Sequence, residues 1–447
     1  MPRYWTEGEG RRVGVAGLGK SGRAAARLLA GKGFTVIGYD DNPAVEPCEC
    51  CSENYIGGGG FEALPTLEGI VLSPGIGPSA PIPAAAAAAG LPVIGEIELA
   101  FRNTQVPILA VTGSNGKTTT AEWTGFILRK AGLRAVVAGN VGYPFTAAVL
   151  DHPSLDWFVL EVSSYQLETI DKFRPAGAAV LNLTPDHLQR HGNMEGYRNA
   201  KARIFMNQHS EDLAILNADD PESAPLLGLA RGIEGLFSLS RSVETGAFLE
   251  DGQIIQAWGG ERTALLPASG ISIPGLHNVA NALASICLAA RTGIPGSAML
   301  EGLKTFPGVA HRIERIRSLG GVEWVNDSKS TNQDSLRVAL ESFGARVILI
   351  AGGLSKGTDY GSLRALVAEK VRHLVLIGSA AEELAEAWEG AAPVTRAGDL
   401  ARAVGVCREL AGPGDTVLLS PACASFDQYR NFEERGDHFR RLVEELS

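Results

Sequence analysis

Thr112-Gly113-Ser114-Asn115-Gly116-Lys117-Thr118-Thr119 stands between an apolar run at 107–111 (PILAV) and a stretch at 120–130 nearly free of helix breakers. Strand, glycine loop and helix in that order make a phosphate cradle. The N–H groups of the loop and of the helix N-terminus point at phosphate oxygens, where the helix dipole favours negative charge. In such a loop Gly113, Ser114, Asn115, Gly116 and Thr119 line the nucleotide. Lys117 reaches the outer phosphates and the Thr118 hydroxyl sits on Mg²⁺. The general pattern has glycine where this chain has Val111, so the loop is a shorter variant. A chance Gly-Lys-Thr on a surface loop would lack both the strand before it and the helix after it.

Outward from this loop the same rhythm recurs. Apolar runs at 157–160, 178–183 and 213–216 end at Glu161-Val162-Ser163-Ser164, at Thr184-Pro185-Asp186-His187 and at Asn217-Ala218-Asp219-Asp220. Strands alternating with helix-like spans predict a parallel sheet, whose sites gather at the carboxyl ends of its strands. Residues 231–270, richer in glycine and β-formers, read as hairpins appended to that sheet. Upstream, the β-rich run Arg12–Ala16 leads into Gly17-Leu18-Gly19-Lys20-Ser21-Gly22, an alanine-rich helix at 23–30 and a strand at 34–39 that ends at Asp40-Asp41. This is a G-x-G-x-x-G fingerprint with an acid about 20 positions on. Taken alone it suggests NAD, yet the glycines guarantee only that a diphosphate can approach the backbone. A further strand at 69–72 runs into Ser73-Pro74-Gly75, and 92–99 closes the unit. Downstream, strands at 322–326, 346–351, 373–378 and 416–420 place Asp327-Ser328-Lys329, Gly352-Gly353, Gly378-Ser379 and Pro421-Ala422-Cys423-Ala424-Ser425 on one edge. The expectation is α/β architecture in three domains: a Rossmann-like unit at 1–97, a P-loop ATPase-like unit with a parallel sheet at 98–308, and a second Rossmann-like unit at 309–447.

A chain of 447 residues is too long for one ordinary core, in keeping with about three domains. The formal charge of −10 argues against a nucleic-acid surface, which needs basic patches, but not against a mononucleotide. No run of about 18 apolar residues suggests a membrane span, and the charged start has no apolar signal region. A cytoplasmic protein is the default expectation. Cys48, Cys50 and Cys51 crowd one segment and read as free thiols in a loop.

Glu161 and His187 fall at neighbouring strand ends beside Lys117 and Thr118. A carboxylate there suits Mg²⁺, which prefers carboxylates and phosphate oxygens, and His187 would be a second ligand or a proton acceptor. Lys201, within 197–205, reads as an ordinary solvated helix lysine. Asn278 and Asn281 share a helix face at i, i+3. They would either read a nucleotide or leave Asn278 as an N-cap with Asn281 incidental. Arg312 starts the last unit just past a hinge at Phe306-Pro307-Gly308, where its planar fork could clamp a γ-phosphate.

In order, these motifs resemble the Mur ligases, the ATP-dependent amino-acid-adding enzymes of peptidoglycan synthesis. The resemblance rests on TGSNGKTT, the Glu161 strand end, Asp186-His187, Lys201, the HNxxN at 277–281, His311-Arg312 and Asp327-Ser328-Lys329-Ser330-Thr331-Asn332. The GLGKSG unit and SPACASFDQYRNFEERG at 420–436 are most similar to the branch that adds D-glutamate to UDP-N-acetylmuramoyl-L-alanine. The resemblance implies that Leu18, Ser21, Asp40, Ser73 and Gly75 surround the UDP part of the substrate, without NAD. Asn140 lies near its diphosphate, and Ser163 belongs to the same substrate path. It implies that Lys117, Thr118, Glu161 and His187 bind ATP and Mg²⁺, with Lys201 carbamylated to complete the metal site. Asn278, Arg312 and Asp327 would bind ATP, while Thr331, Lys356, Ser425 and Phe432 would place D-glutamate. A monomer with domain closure between the second and third units is the implied behaviour. Folylpolyglutamate synthases share the phosphate loop but lack the N-terminal glycine unit. A nicotinamide oxidoreductase would explain GLGKSG and leave TGSNGKTT without a task.

Overall fold

The computed structural model describes residues 5–140, 142–186, 188–355, 357 and 359–447. The chain divides into two compact units, Met1–Pro307 and Gly308–Ser447. The first unit carries two sheets and the second carries one.

The N-terminal sheet contains β1 (Arg12–Ala16), β2 (Thr35–Asp40), β3 (Glu53–Ile56), β4 (Ile70–Leu72) and β5 (Val93–Gly95). Their order is β3-β2-β1-β4-β5 and every pairing is parallel. The order reverses between β1 and β4, which leaves a crevice at their carboxyl ends where ligands of doubly wound sheets bind. The loops after these two strands are the glycine fingerprint and Ser73-Pro74-Gly75. The helix Lys20–Gly31 begins earlier than the alanine pattern implies, because the second half of GLGKSG is already helical. Gly22 is needed there: a Cβ would lie 1.7 Å from the Gly17 carbonyl oxygen.

The central sheet contains β6 (Ile108–Thr112), β7 (Ala135–Gly139), β8 (Trp157–Glu161), β9 (Gly177–Val180), β10 (Leu213–Asn217), β11 (Ile233–Ser238), β12 (Gly246–Glu250), β13 (Gln253–Trp258) and β14 (Glu261–Pro267). The order is β14-β13-β12-β11-β10-β9-β6-β8-β7, and β6 is completely buried at its heart. The expected hairpins at 231–270 are only half right. β11 pairs in parallel with both β10 and β12, and only β12-β13-β14 form an antiparallel meander. Gly246 permits the parallel join, since a Cβ there would stand 1.8 Å from the Leu236 carbonyl oxygen. β9 also stops at Val180 rather than running on to Leu183. Beyond it the backbone turns to serve the phosphate loop, with Leu181 N donating to Thr112 O and Ser114 N donating to Asn182 O.

The sheet of the second unit contains β15 (Glu314–Leu319), β16 (Val322–Asn326), β17 (Val347–Gly352), β18 (Val371–Ile377), β19 (Val394–Gly398) and β20 (Thr416–Leu419), ordered β15-β16-β20-β17-β18-β19. All pairings except β15–β16 are parallel. Leu349, Leu374 and Leu418 are fully buried in one of its cores. Burial of side chains of this size is worth about 1.5–3 kcal/mol each. Among the described residues, no helix is long and apolar enough to cross a membrane.

Candidate active site

The phosphate loop leaves β6 and enters the helix Lys117–Lys130 through Gly116, whose φ of 83° lies in the left-handed region. A Cβ on Gly116 would approach Asn281 Oδ1 to 2.4 Å, so the loop is glycine both for its turn and for that approach. Neighbouring segments hold the loop open. Asn115 N donates to Asn182 Oδ1 (2.8 Å), Thr184 N donates to Ser114 Oγ (2.9 Å), and that hydroxyl lies 3.1 Å from the Tyr197 OH. Lys117 folds back over the loop, donating from Nζ to Gly113 O and Ser114 O at 2.9 Å each. Thr118 and Thr119 are buried at the start of the helix.

Glu161 and Lys201 interact beneath this loop. Glu161, at the end of β8, is 4% exposed and accepts Asn140 Nδ2 at 3.0 Å through Oε1. Its Oε2 is buried with no hydrogen-bond partner. Lys201 is 2% exposed, contrary to the solvated lysine its helix spacing suggested. The helix Met194–Ala202 turns it beneath the loop, where Nζ donates to Gly113 O (2.9 Å) and lies 4.7 Å from the centre of the Tyr197 ring. Burial, and then the Lys117 ammonium, push its pKa well below the usual lysine value, while Asp186 and Glu161 oppose the shift. An orphaned carboxylate oxygen and a buried threonine hydroxyl in a domain built around a phosphate loop are donors of the kind Mg²⁺ takes. His187 lies outside the described residues, as does Lys356.

Asn278 is not an N-cap. The helix Leu276–Ala290 is preceded by Gly275, without a side-chain cap, and Asn278 lies inside its first turn, donating to Pro274 O at 2.7 Å. Asn281 is far from incidental: its Oδ1 accepts Thr120 Oγ1 (3.3 Å) and its amide donates to Asn278 Oδ1 (3.3 Å). The HNxxN segment is thereby tied to the phosphate-loop helix.

In the N-terminal sheet Asp40 Oδ2 accepts Leu18 N at 2.7 Å, closing the end of β2 over the glycine loop. A Cβ on Gly17 would meet the Ser73 Cβ at 2.8 Å, so the two crevice loops touch. Leu18 and Ser73 are buried there, Ser21 is half-buried, and Gly75 is exposed at the rim.

In the second unit Arg312 sits between His311 (φ 62°) and Ile313 (φ 45°), a costly conformation for a β-branched residue. Asp327 maintains it by accepting Ile313 N through Oδ1 (3.2 Å), and accepts Ser420 Oγ through Oδ2 (2.7 Å). Burial pushes the Asp327 pKa up to about 7, against the pull of Ser420 and Arg312. Arg435, which no local motif marks, is 1% exposed and holds this edge together. Its guanidinium donates to Ser328 Oγ (3.0 Å), Ser328 O (2.9 Å) and Cys423 O (3.2 Å), while Ser328 Oγ donates to Phe432 O (2.8 Å). The segments carrying Thr331 and buried Ser425 are therefore tied to half-buried Phe432 at the start of the helix Phe432–Glu444.

UDP-N-acetylmuramoylalanine–D-glutamate ligase of Myxococcus xanthus is 45% identical over 98% of this chain and 99% of its own. The enzyme of that name from Acidobacterium capsulatum is 43% identical over 97% and 96%. The chain belongs to the Mur ligase family. Models of the Mur ligase MurD-like N-terminal domain, the Mur ligase middle domain and the Mur ligase glutamate ligase domain match residues 11–95, 111–289 and 311–423. UDP-N-acetylmuramate-alanine ligase MurC from Thermotoga maritima superposes with a TM-score of 0.61 at 18% identity, over 97% of this chain and 99% of that one. That likeness establishes the three-domain Mur ligase fold.

Proposed function

We propose that this Mur ligase uses ATP to join D-glutamate to UDP-N-acetylmuramoyl-L-alanine in cytoplasmic peptidoglycan precursor synthesis. The likeness to D-glutamate ligases along nearly the whole chain carries this reading. A carboxylate is a poor acyl donor, so the substrate carboxylate takes the γ-phosphoryl group of ATP to become an acyl phosphate. The D-glutamate amine attacks it, and the tetrahedral intermediate collapses to amide and phosphate. Lys117 turns from its loop carbonyls to the phosphates, and Arg312 adds a second cation; charge on the transferring group is the main obstacle in such chemistry. Thr118, Glu161 and His187, with Lys201 as its carbamate, would hold Mg²⁺, whose charge would further neutralise the phosphates. Lys201 suits that modification, because its buried amine is readily neutral and a neutral amine adds CO₂ with loss of a proton. Asn278 and Asp327 serve the nucleotide. Leu18, Ser21, Asp40, Ser73, Gly75, Asn140 and Ser163 serve the UDP substrate, and Thr331, Lys356, Ser425 and Phe432 serve D-glutamate. The chain acts as a monomer, with domain bounds near 97 and 308.

The test is phosphate release with ATP, Mg²⁺, UDP-N-acetylmuramoyl-L-alanine and candidate amino acids. Release with D-glutamate but not L-glutamate is expected. Release only with a folate substrate, or hydride transfer from NADH without ATP turnover, would overturn it.

A further inference from the structure

His191 lies where the two strand-end loops of the central domain meet. Its imidazole is 4% exposed; Nε2 stands 3.0 Å from Ser164 Oγ and Nδ1 stands 3.3 Å from Glu168 Oε1. The ring thus stands between the Ser164 hydroxyl and the Glu168 carboxylate, one nitrogen facing each. Arg190 holds Glu168 in turn, donating to Oε2 from both Nε (3.0 Å) and a terminal nitrogen (2.6 Å), and lies 4.2 Å over the Tyr165 ring. The His191 ring also packs against Tyr197, with centroids 5.4 Å apart. Tyr197 is the residue that touches Ser114 through its hydroxyl and Lys201 through its ring face.

This order of serine, histidine and carboxylate matches that of a hydrolase triad. Ser164 is only 3% exposed, however, and begins the short helix Ser164–Leu167, whose cap is a reciprocal Ser163–Gln166 box. Its hydroxyl is tied into the fold rather than offered for attack. The imidazole instead links three pieces that the reaction needs in register. Those pieces are the turn that follows Glu161, the helix that delivers Lys201, and, through Tyr197, the phosphate loop.

We propose that His191 is a positioning residue: bridging Ser164 and Glu168 and bracing Tyr197, it fixes the distance between Glu161 and Lys201 beneath the phosphate loop. This rests on the reading that these two residues serve a divalent cation with bound nucleotide. Groups of this kind, one step removed from the metal, typically change metal affinity by about 10–100-fold when removed.

The experiment uses the full chain with ADP and reads Mn²⁺ binding by electron paramagnetic resonance, alongside the Mg²⁺ concentration for half-maximal turnover and the KM for D-glutamate. His191→Ala should weaken nucleotide-dependent Mn²⁺ binding by at least about tenfold. The Mg²⁺ requirement should rise in parallel, with the D-glutamate KM within about twofold. His191→Gln, whose amide can still bond Ser164 or Glu168, should restore most of the binding, and Glu168→Gln should fall between. Mn²⁺ binding within about twofold of the parent in His191→Ala would overturn the proposal. So would a loss in His191→Gln equal to that in His191→Ala, which also covers an alanine variant that folds poorly. The readout does not depend on which amino acid is added. A parent protein that binds Mn²⁺–ADP but ignores D-glutamate therefore refutes the substrate assignment alone, and one that binds no Mn²⁺–ADP overturns the metal reading and this proposal together.

Discussion

The glycine loops after β1 and β6 have the same backbone plan and different surroundings. Each follows a buried parallel strand and feeds a helix, and each has glycine where a Cβ would collide with a neighbouring segment. Around the first, Asp40 accepts the Leu18 N–H and the Ser73 loop closes in. Around the second, Lys117 and Lys201 both donate to Gly113 O, with the unpartnered Glu161 oxygen in the same cluster. Backbone geometry lets a phosphate approach in both places; only the second concentrates charges that can act on a phosphoryl group. A glycine fingerprint read alone would have pointed to NAD, which shows how little of the chemistry resides in the glycines.

Removing Lys117 should break this contrast most severely. Lys117→Ala is expected to cut turnover by about a thousandfold or more, with phosphate release as the measurement. Substantial activity in that variant would take the second loop out of the chemistry. Gly116→Ala should come next. Its positive φ costs an L-residue about 1–2 kcal/mol, and the new Cβ must displace Asn281, so both the ATP KM and the unfolding midpoint should suffer. Gly19→Ala in the first loop is the control: φ is −69° and a Cβ there meets nothing within 4 Å, so stability should change by less than about 0.5 kcal/mol. Similar damage at both positions would mean the loops are less different than their neighbours suggest. Asp40→Asn should raise the KM for the UDP substrate by about tenfold, on the order of 1.4 kcal/mol, and leave the KM for ATP unchanged. A change in both constants would show that Asp40 supports the fold at large rather than the first crevice.

How far the fold could be read from residues alone follows from where each strand lies. The central strands β1, β6, β8, β16 and β17 appear as near-continuous apolar runs because both of their faces are covered. The strands that sequence reasoning passed over, β3, β7, β15 and β19, are all edge strands. Edges are half-solvated and carry mixed composition such as VTRAG and ERIRSL, which imitates loop. The same division holds at the candidate site. Gly116, Lys117 and Glu161 announce themselves through local order at a strand end. Lys201, Arg435 and His191 matter through burial among distant segments, and nothing in their own neighbourhood of sequence marks a buried charge. Asn281 was half legible: the i, i+3 spacing raised it, but only the fold brings it against Gly116 and Thr120.

Glu96 offers the finest test, because it sits at the junction of the two glycine-loop domains. It begins the helix Glu96–Arg102 just after β5, and its Oε1 accepts both the N–H and the hydroxyl of Thr146 at 2.6 Å. Its Oε2 is buried without a hydrogen-bond partner, and the residue lines a small pocket together with Ser73, Pro74, Tyr165 and Gln166. Burial raises its pKa from 4.5 to about 7, with the Thr146 bonds pulling the other way. Below the unfolded value both states hold the proton and the group costs nothing. As pH rises from the unfolded value toward the folded one, the unfolded chain ionises while the native carboxyl keeps its proton, so stability falls until the native group also ionises near pH 7. The difference corresponds to about 3 kcal/mol once complete. Glu96→Gln removes the titration, so its stability relative to the parent should climb between about pH 5 and pH 8. Urea unfolding of both proteins across that range measures it. A difference that stays flat with pH would mean that the carboxyl is ionised in the native state and that the junction between the two domains is wetter than the buried oxygen implies.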